Sequence, residues 1–231
     1  MTNAILQAAG LTKQYGATRA LDSVSLSLAE GTSTAIMGAS GSGKTTLLHM
    51  LAGILTPDGG SVTFAGGAIS GLSDGERSRL RREQFGFVFQ QGLLIPELTA
   101  VENVALAPML NGVSKRDAVG PAAKWLAALG LAGLEDRRIG QLSGGQAQRV
   151  AIARAQITGA RVIFADEPTG ALDSTTSQEV MNALLRTTSG NGRTLVVVTH
   201  DPNVAARCQR IVTLADGRIV ADTSSAAGVQ R

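Results

Sequence analysis

A short glycine-rich segment ending in a lysine has the composition of a phosphate-binding turn. Residues 38–45, GASGSGKT, match the pattern G-x-x-x-x-G-K-[ST] between a predicted apolar strand and a predicted helix. Glycines at this spacing let successive backbone amides curl around phosphate groups before the helix begins. We predict that Lys44 reaches the terminal phosphates of a nucleotide and that the Thr45 hydroxyl coordinates Mg²⁺. The alternative is an ordinary glycine-rich turn. The candidate nucleotide-binding residues here are Gly38, Ala39, Ser40, Gly41, Ser42, Gly43, Lys44, Thr45 and Thr46.

Two adjacent carboxylates follow a second apolar strand. The strand is predicted over residues 162–165, and Asp166 and Glu167 come directly after it. Phosphoryl transfer to water needs a carboxylate that holds the metal and a group that orients the attacking water. We predict that Asp166 is the metal ligand and that Glu167 is the general base. The alternative interpretation is a helix N-cap followed by a surface acid.

A second candidate phosphate-binding loop begins at Ser143. Ser143, Gly144, Gly145 and Gln146 open a predicted helix, so they offer a hydroxyl, free amides and the positive end of a helix dipole. A chain that already has one phosphate-binding turn has no obvious need for another. We therefore predict that this loop contacts a nucleotide held by another subunit.

Strands alternate with helices on both sides of a helical middle region. Strands are predicted over residues 24–28, 34–37, 61–64, 85–89, 162–165 and 194–198, and helices over residues 44–52, 143–157 and 174–187. Continuous apolar strands separated by helices are typical of an α/β fold with a mostly parallel sheet. Residues 91–141 carry two helix-capping patterns, which begin at Thr99 and Ser114. We expect helices after both, with Pro121 breaking or kinking the second.

Composition and charge exclude several function classes. The 231 residues are 44% hydrophobic and 17% charged, which excludes a disordered, highly charged interaction protein. No apolar run is long enough to span a membrane, no secretory signal is apparent, and the single cysteine, Cys208, fits a reducing compartment. The net charge of +3 is spread along the chain and does not require a nucleic-acid partner. The basic residues within 76–83 are interpreted as a solvated helix face.

With these motifs in this order, the sequence resembles ABC-type ATPases from Leu11 to about Ala221. The resemblance rests on residues 142–155, LSGGQAQRVAIARA, together with both motifs described above. It implies an α/β P-loop NTPase fold with an N-terminal antiparallel β subdomain and an inserted α-helical subdomain. It also implies a single domain over residues 1–231, with 1–90 and 142–231 as the nucleotide-binding core and 91–141 as the helical insertion.

The resemblance also implies roles for four further residues. Tyr15 matches an aromatic residue that stacks on adenine, and Gln90 matches a glutamine that senses Mg²⁺ and the γ-phosphate. Asp173 lies in a loop that links two ATP sites, and His200 matches a histidine that contacts the γ-phosphate. Glu167, His200 and Gln90 are thus the candidate catalytic residues, and Thr45, Gln90 and Asp166 are the candidate metal ligands. Gln91 competes with Gln90 for its role.

Residues 86–90, 98–104 and 165–170 resemble bacterial macrolide exporters, lipoprotein-releasing systems and antimicrobial-peptide exporters. Ala171 and Ala147 depart from the commoner residues of this subgroup.

The resemblance implies that ATP and Mg²⁺ are bound and that two ATPase subunits dimerise around two nucleotides. It further implies a membrane permease that docks near residues 91–104, and a peripheral location on the cytoplasmic face of the cell membrane. The ATP cycle would drive export or membrane extraction; the alternative is a mechanical regulator without transport. A soluble ABC ATPase acting on DNA or ribosomes is disfavoured, because the chain has neither a long coiled coil nor a second ATPase domain.

Overall fold

The computed structural model describes residues 4–90 and 92–223. The chain forms two compact units. The first consists of Met1–Arg79 and Thr194–Arg231, and the second of Leu80–Arg193. Helix α2 (Asp74–Gln84) contains the first boundary between the units.

An antiparallel sheet opens the first unit. Its strands, in spatial order, are β2 (Thr18–Ala29), β1 (Ala4–Tyr15), β4 (Gly59–Phe64) and β5 (Gly67–Ala68). Leu26 and Leu28 of β2 are buried and alternate with exposed serines, as the period of two in a strand requires. The predicted N-terminal antiparallel subdomain is therefore present.

The first unit also contains mainly parallel strands. Strand β3 (Ser33–Met37) pairs in parallel with β8 (Thr194–Thr199) on one side and with β9 (Arg210–Ala215) on the other, and β10 (Arg218–Asp222) is antiparallel to β9. All residues of β8 are buried, as expected for a strand covered on both faces. Helices α1 (Lys44–Leu51) and α7 (Pro202–Ala205) complete this unit.

The second unit combines two parallel strands with four helices. The strands are β6 (Phe85–Phe89) and β7 (Val162–Asp166), and the helices are α3 (Ala100–Met109), α4 (Lys115–Ala128), α5 (Gly144–Gln156) and α6 (Ser174–Thr187). Short 3-10 turns lie at Ile139–Gln141 and Ser189–Asn191. A Cβ at Gly86 would overlap the carbonyl oxygen of Ala155, so α5 packs directly on the β6 backbone.

The helices of the middle region follow their predicted capping residues, and of the two effects predicted for Pro121 a break is absent. Thr99 and Ser114 accept hydrogen bonds from the backbone amides of Glu102 and Asp117. Pro121 does not break the second helix, because α4 continues through it to Ala128. The apolar face of α4 buries Ala118, Ala122 and Leu126, and this packing offsets the hydrogen bond that the proline removes. No helix in the described part of the chain is both long and apolar enough to cross a membrane.

Candidate functional site

The phosphate-binding turn connects β3 to α1 in the first unit. Gly43 caps α1 with a φ of 100°, and a Cβ at this position would overlap the carbonyl oxygen of Ala20. A Cβ at Gly38 would likewise overlap the carbonyl oxygen of Leu214. Both glycines are therefore required by close backbone approach, which explains part of the sequence pattern without reference to a ligand.

Lys44 lies beneath the turn and holds its shape. Its side chain is 8% exposed, and Nζ donates hydrogen bonds to the carbonyl oxygens of Gly38 at 2.9 Å and Ala39 at 2.8 Å. The first turn of α1 has neither a side-chain cap nor an acidic residue. Ser42 Oγ is buried and has no hydrogen-bond partner among the described residues. An uncapped helix start above a buried ammonium group fits a phosphate anion, and the hydroxyl of Ser42 is available as a further donor.

The other predicted residues of the first unit lie on α1, directly after β8 and at the end of β1. Met37 pairs with Thr199, so Gly38 and His200 both follow the carboxyl ends of neighbouring parallel strands. Thr45 and His200 are exposed, and Thr46 is half-buried. Tyr15 ends β1 with 49% of its surface exposed, and Lys13 Nζ lies 5.8 Å from the centre of its ring. An exposed aromatic ring is available for stacking.

In the second unit, Gln90 and the two acids lie at the ends of adjacent strands. Phe89 pairs with Asp166, which places Gln90 and Glu167 one residue beyond the same end of the pair. A Cβ at Gly170 would lie 2.9 Å from Gln90 Nε2, so the glutamine side chain packs along the turn that follows β7. The structure thus brings the Gln90 side chain to the turn that begins at Glu167, directly after Asp166.

Glu167 has an unusual backbone conformation. Its φ is 46°, in the left-handed region that a non-glycine residue rarely adopts, and its carbonyl oxygen accepts a hydrogen bond from the Gly170 amide at 3.1 Å. Such conformations cost on the order of 1–3 kcal/mol and cluster at functional sites. The residue predicted to be the general base is therefore held in a strained turn.

The second predicted loop forms the start of α5. Ser143 Oγ accepts a hydrogen bond from the Gln146 amide at 3.2 Å, and Gln146 Oε1 accepts one from the Ser143 amide at 2.9 Å. This reciprocal capping leaves Ser143 and Gly144 exposed, whereas Gly145 is buried. The Ser143 hydroxyl thus has a structural role in this chain as well as its predicted role toward a nucleotide.

Asp173 caps α6. Its Oδ1 accepts hydrogen bonds from the amides of Thr175 and Thr176, both at 3.0 Å, and its Oδ2 accepts one from the Thr176 hydroxyl at 2.6 Å. These hydrogen bonds hold the pKa of Asp173 below its ordinary value, and the one from the Thr176 hydroxyl has the largest effect. The exposed carboxylate is therefore ionised at neutral pH.

Two residues of α5 hold the segment that follows β6, and sequence analysis gave them no role. Gln148 Nε2 donates a hydrogen bond to the carbonyl oxygen of Phe89 at 2.9 Å. Arg154 donates to the carbonyl oxygens of Gly92 at 2.7 Å and Leu93 at 2.8 Å. Both occur in the segment that resembles ABC ATPases, but only the folded structure shows which backbone groups they contact.

The comparison with protein families decides the assignment. The model of the family described as "ABC transporter" matches residues 21–170, a range that includes the phosphate-binding turn, Gln90, the Ser143 loop and both acids. The chain belongs to the ABC transporter family. The predicted resemblance to ABC-type ATPases is thereby confirmed.

Curated members of the ABC transporter family match almost the whole chain. The lipoprotein-releasing system ATP-binding protein LolD of Geobacter metallireducens is 45% identical over 224 residues, which cover 95% of this chain and 100% of that protein. The macrolide export ATP-binding/permease protein MacB 1/2 of Paracoccus denitrificans is 46% identical over 227 residues, or 96% of this chain. The match covers 34% of that protein, so the chain spans about a third of the length of its macrolide-export relatives.

Solved structures of ABC cassettes share the fold. A dimeric ATP-binding cassette in a post-hydrolysis state, bound to ADP and Pi, is 40% identical and superposes with a TM-score of 0.85, covering 94% of this chain and 97% of that one. A second dimeric structure of the same cassette, also 40% identical with the same coverage, superposes with a TM-score of 0.86. The predicted α/β P-loop fold of ABC type is confirmed, and the chain is an ATP-binding component of this family. The roles of the individual site residues stay predictions.

Proposed function

We propose that this ABC ATPase hydrolyses Mg-ATP and thereby drives export or membrane extraction of a substrate through a separate transmembrane partner. The observation that carries the proposal is the phosphate-binding turn, where the uncapped start of α1 lies over the buried Lys44 ammonium group. The match over the full length of a lipoprotein-releasing ATP-binding protein supports the role in a transporter.

Each predicted site residue has a role toward Mg-ATP. Lys44 and the amides of residues 38–46 bind the phosphates, Tyr15 stacks on adenine, and His200 contacts the γ-phosphate. The Thr45 hydroxyl, the Asp166 carboxylate and the Gln90 amide oxygen are hard oxygen donors of the kind that Mg²⁺ prefers. Bound Mg²⁺ supplies charge neutralisation on the phosphates. Glu167 orients and deprotonates the attacking water, and the strained backbone at this residue supports that role.

A second copy of the chain is the proposed partner in the ATP-bound state. Ser143, Gly144, Gly145 and Gln146 then contact the nucleotide held by the other subunit, and Asp173 lies in the loop that links the two sites. The exposed Ser143 and Gly144 at the start of α5 support this interface. The dimeric state of the related cassette in both of its solved structures supports it as well.

Residues 91–104 are the proposed docking surface for an integral membrane permease. Leu93 is 60% exposed and Ile95 is 38% exposed, so this segment presents apolar side chains that a partner can cover. Gln91 lies outside the described residues. Docking to a permease sets the proposed location, peripheral on the cytoplasmic face of the membrane. The alternative partner function is mechanical signalling through a membrane protein without transport.

We also infer that residues 1–231 act as one ABC ATPase domain. Residues 1–90 and 142–231 would form the nucleotide-binding core, and residues 91–141 the helical insertion. The presence of α3 and α4 within the inserted range supports this division.

Glu167→Gln tests the proposed reaction. We expect the variant to bind ATP and to remain a closed dimer while turnover falls by about 10²–10⁴, the usual loss for one well-placed catalytic group. Phosphate release and sedimentation in the presence of Mg-ATP measure the two effects. Glu83→Gln, at an exposed position of α2, is the matched control and keeps the parent rate. Normal hydrolysis by Glu167→Gln would show that another group is the base, and no hydrolysis by the parent chain would refute the ATPase proposal.

A further inference from the structure

Two predicted nucleotide-facing segments of the second unit contact each other directly. A Cβ at Gly145 would overlap Thr176 Cγ2, and a Cβ at Gly144 would lie 3.1 Å from Leu172 Cδ2. The start of α5 is therefore packed against the loop that leads into α6. A larger residue at Gly145 would displace Thr176, and one at Gly144 would require a small shift of the Leu172 side chain.

Thr176 has two chemically different ends, and each contacts one of these segments. Its methyl group packs on the Cα of Gly145, which belongs to the Ser143 loop. Its hydroxyl donates to Asp173 Oδ2 at 2.6 Å, a short hydrogen bond to a charged acceptor. Thr176 is itself half-buried. One side chain thus connects the Ser143 loop to Asp173.

Helix capping alone does not account for this arrangement. Asp173 already caps α6 by accepting hydrogen bonds from two backbone amides, those of Thr175 and Thr176. Any residue at position 176 except proline supplies that amide. The hydroxyl bond and the methyl contact are additional, and they require the two branches of a threonine.

We propose that Thr176 is a positioning residue that fixes the Ser143 loop to Asp173, so that both are presented to a second subunit as one rigid surface. The inference rests on the proposed ATP-dependent dimer and deepens it. Thr176 acts through Gly145 and Asp173. Loss of either branch therefore weakens dimer formation and leaves ATP binding by the monomer intact.

Two conservative variants separate the two branches. Thr176→Val keeps a methyl group and removes the hydroxyl, whereas Thr176→Ser keeps the hydroxyl and removes the methyl group. In a Glu167→Gln background with saturating Mg-ATP, we expect each variant to raise the dimer dissociation constant about tenfold, which corresponds to about 1.4 kcal/mol. Sedimentation measures this constant, and a fluorescent ATP analogue at low protein concentration measures monomer affinity. Thr175→Val, at the exposed neighbouring position, is the control and dimerises like the parent.

The outcomes distinguish this inference from the proposal on which it rests. If the Glu167→Gln parent does not dimerise with ATP, the proposed dimer is wrong and the inference is wrong with it. If the parent dimerises and either Thr176 variant matches it, Thr176 does not position the surface. An equal loss of monomer ATP affinity would show general damage to the fold and would also overturn the inference. A carboxyl NMR titration adds a separate readout, because Thr176→Val removes the hydroxyl bond and must raise the pKa of Asp173.

Discussion

Two glycines of the phosphate-binding turn have left-handed backbones but different surroundings. Gly41 has a φ of 78°, and a Cβ there would meet no atom of the described residues within 4 Å. Gly43 has a φ of 100°, and its Cβ would overlap the Ala20 carbonyl oxygen. The same substitution therefore tests backbone strain alone at one position, and strain together with a steric clash at the other.

We expect Gly41→Ala to lower the free energy of unfolding by about 1 kcal/mol, the cost of a left-handed alanine. Gly43→Ala should lower it by about 2–4 kcal/mol, because β2 must also move away from the turn. Urea denaturation of both variants and the parent measures the difference. Equal losses would show that the turn yields without displacing Ala20, and that the close approach does not constrain residue 43.

At the scale of single residues, motifs of consecutive residues could be predicted from the sequence. Contacts between residues far apart in the sequence could not. Lys44 and its turn follow from eight consecutive residues, because the turn closes on itself through the carbonyl groups of Gly38 and Ala39. The contact of Thr176 with Gly145 depends on how α6 packs against α5. Sequence spacing carries no signal for such a contact.

At the scale of elements, side chains of two helices fix the segment after β6. Gln148 and Arg154 of α5 bind the backbone carbonyl groups of Phe89, Gly92 and Leu93. Asn103 of α3 is fully buried; its Oδ1 accepts from the Ile95 amide at 2.8 Å, and its Nδ2 donates to the carbonyl oxygens of residues 95, 98 and 99. Fully hydrogen-bonded polar groups rigidify the backbone that they contact, so we expect this segment to keep its shape if a partner binds.

Leu93→Asp tests this segment as a docking surface. Because the Leu93 side chain is exposed, a carboxylate at this position does not disturb the fold of the chain. A carboxylate buried in an apolar interface with a partner would be destabilising. We expect the tagged variant, purified from native membranes in detergent, to lose its membrane partner while keeping ATPase activity. Mass spectrometry of the co-purified proteins measures the loss. Val220→Asp is the matched control, since Val220 is 62% exposed and lies outside residues 91–104.

Three results of this experiment lead to different conclusions. A permease that is lost only with Leu93→Asp supports docking at this segment, and retention in both variants refutes it. A partner with few transmembrane helices and a large extracytoplasmic domain supports the exporter or mechanical subgroup. Recovery of ribosomes or DNA without a membrane protein would overturn the transport proposal and leave the ATPase chemistry intact.

Regular elements could be predicted closely, and irregular ones were missed. The bounds of β6 and α6 agree with the predicted ones, because β6 is a continuous apolar run and α6 begins after the capping residue Asp173. Strand β1 was not predicted, since register shifts against β2 near residues 8–14 interrupt the alternation of buried and exposed side chains. Strand β10 has no buried residue and hence no apolar pattern to detect.

At the scale of the whole molecule, the reactivity of the single cysteine reports unfolding of the first unit. Cys208 is buried in the first unit, the unit that also contains the phosphate-binding turn. Burial raises the pKa of the thiol to about 11, so the reactive thiolate is scarce in the folded state at pH 8. Unfolding restores an ordinary thiol pKa and full access. Alkylation at pH 8 therefore proceeds through molecules in which this unit has opened.

Ligand binding should slow that alkylation by mass action. If Mg-ADP binds only the folded first unit, a concentration 100 times its dissociation constant stabilises the folded state by about 2.7 kcal/mol and lowers the labelling rate about a hundredfold. Iodoacetamide labelling followed by mass spectrometry measures the rate. In Lys44→Ala, which we expect to lose phosphate binding, the nucleotide should give no protection. Only opening of the phosphate-binding turn is linked to nucleotide binding. Equal labelling rates of the parent chain with and without Mg-ADP would therefore mean that a local motion exposes Cys208 while the turn stays folded.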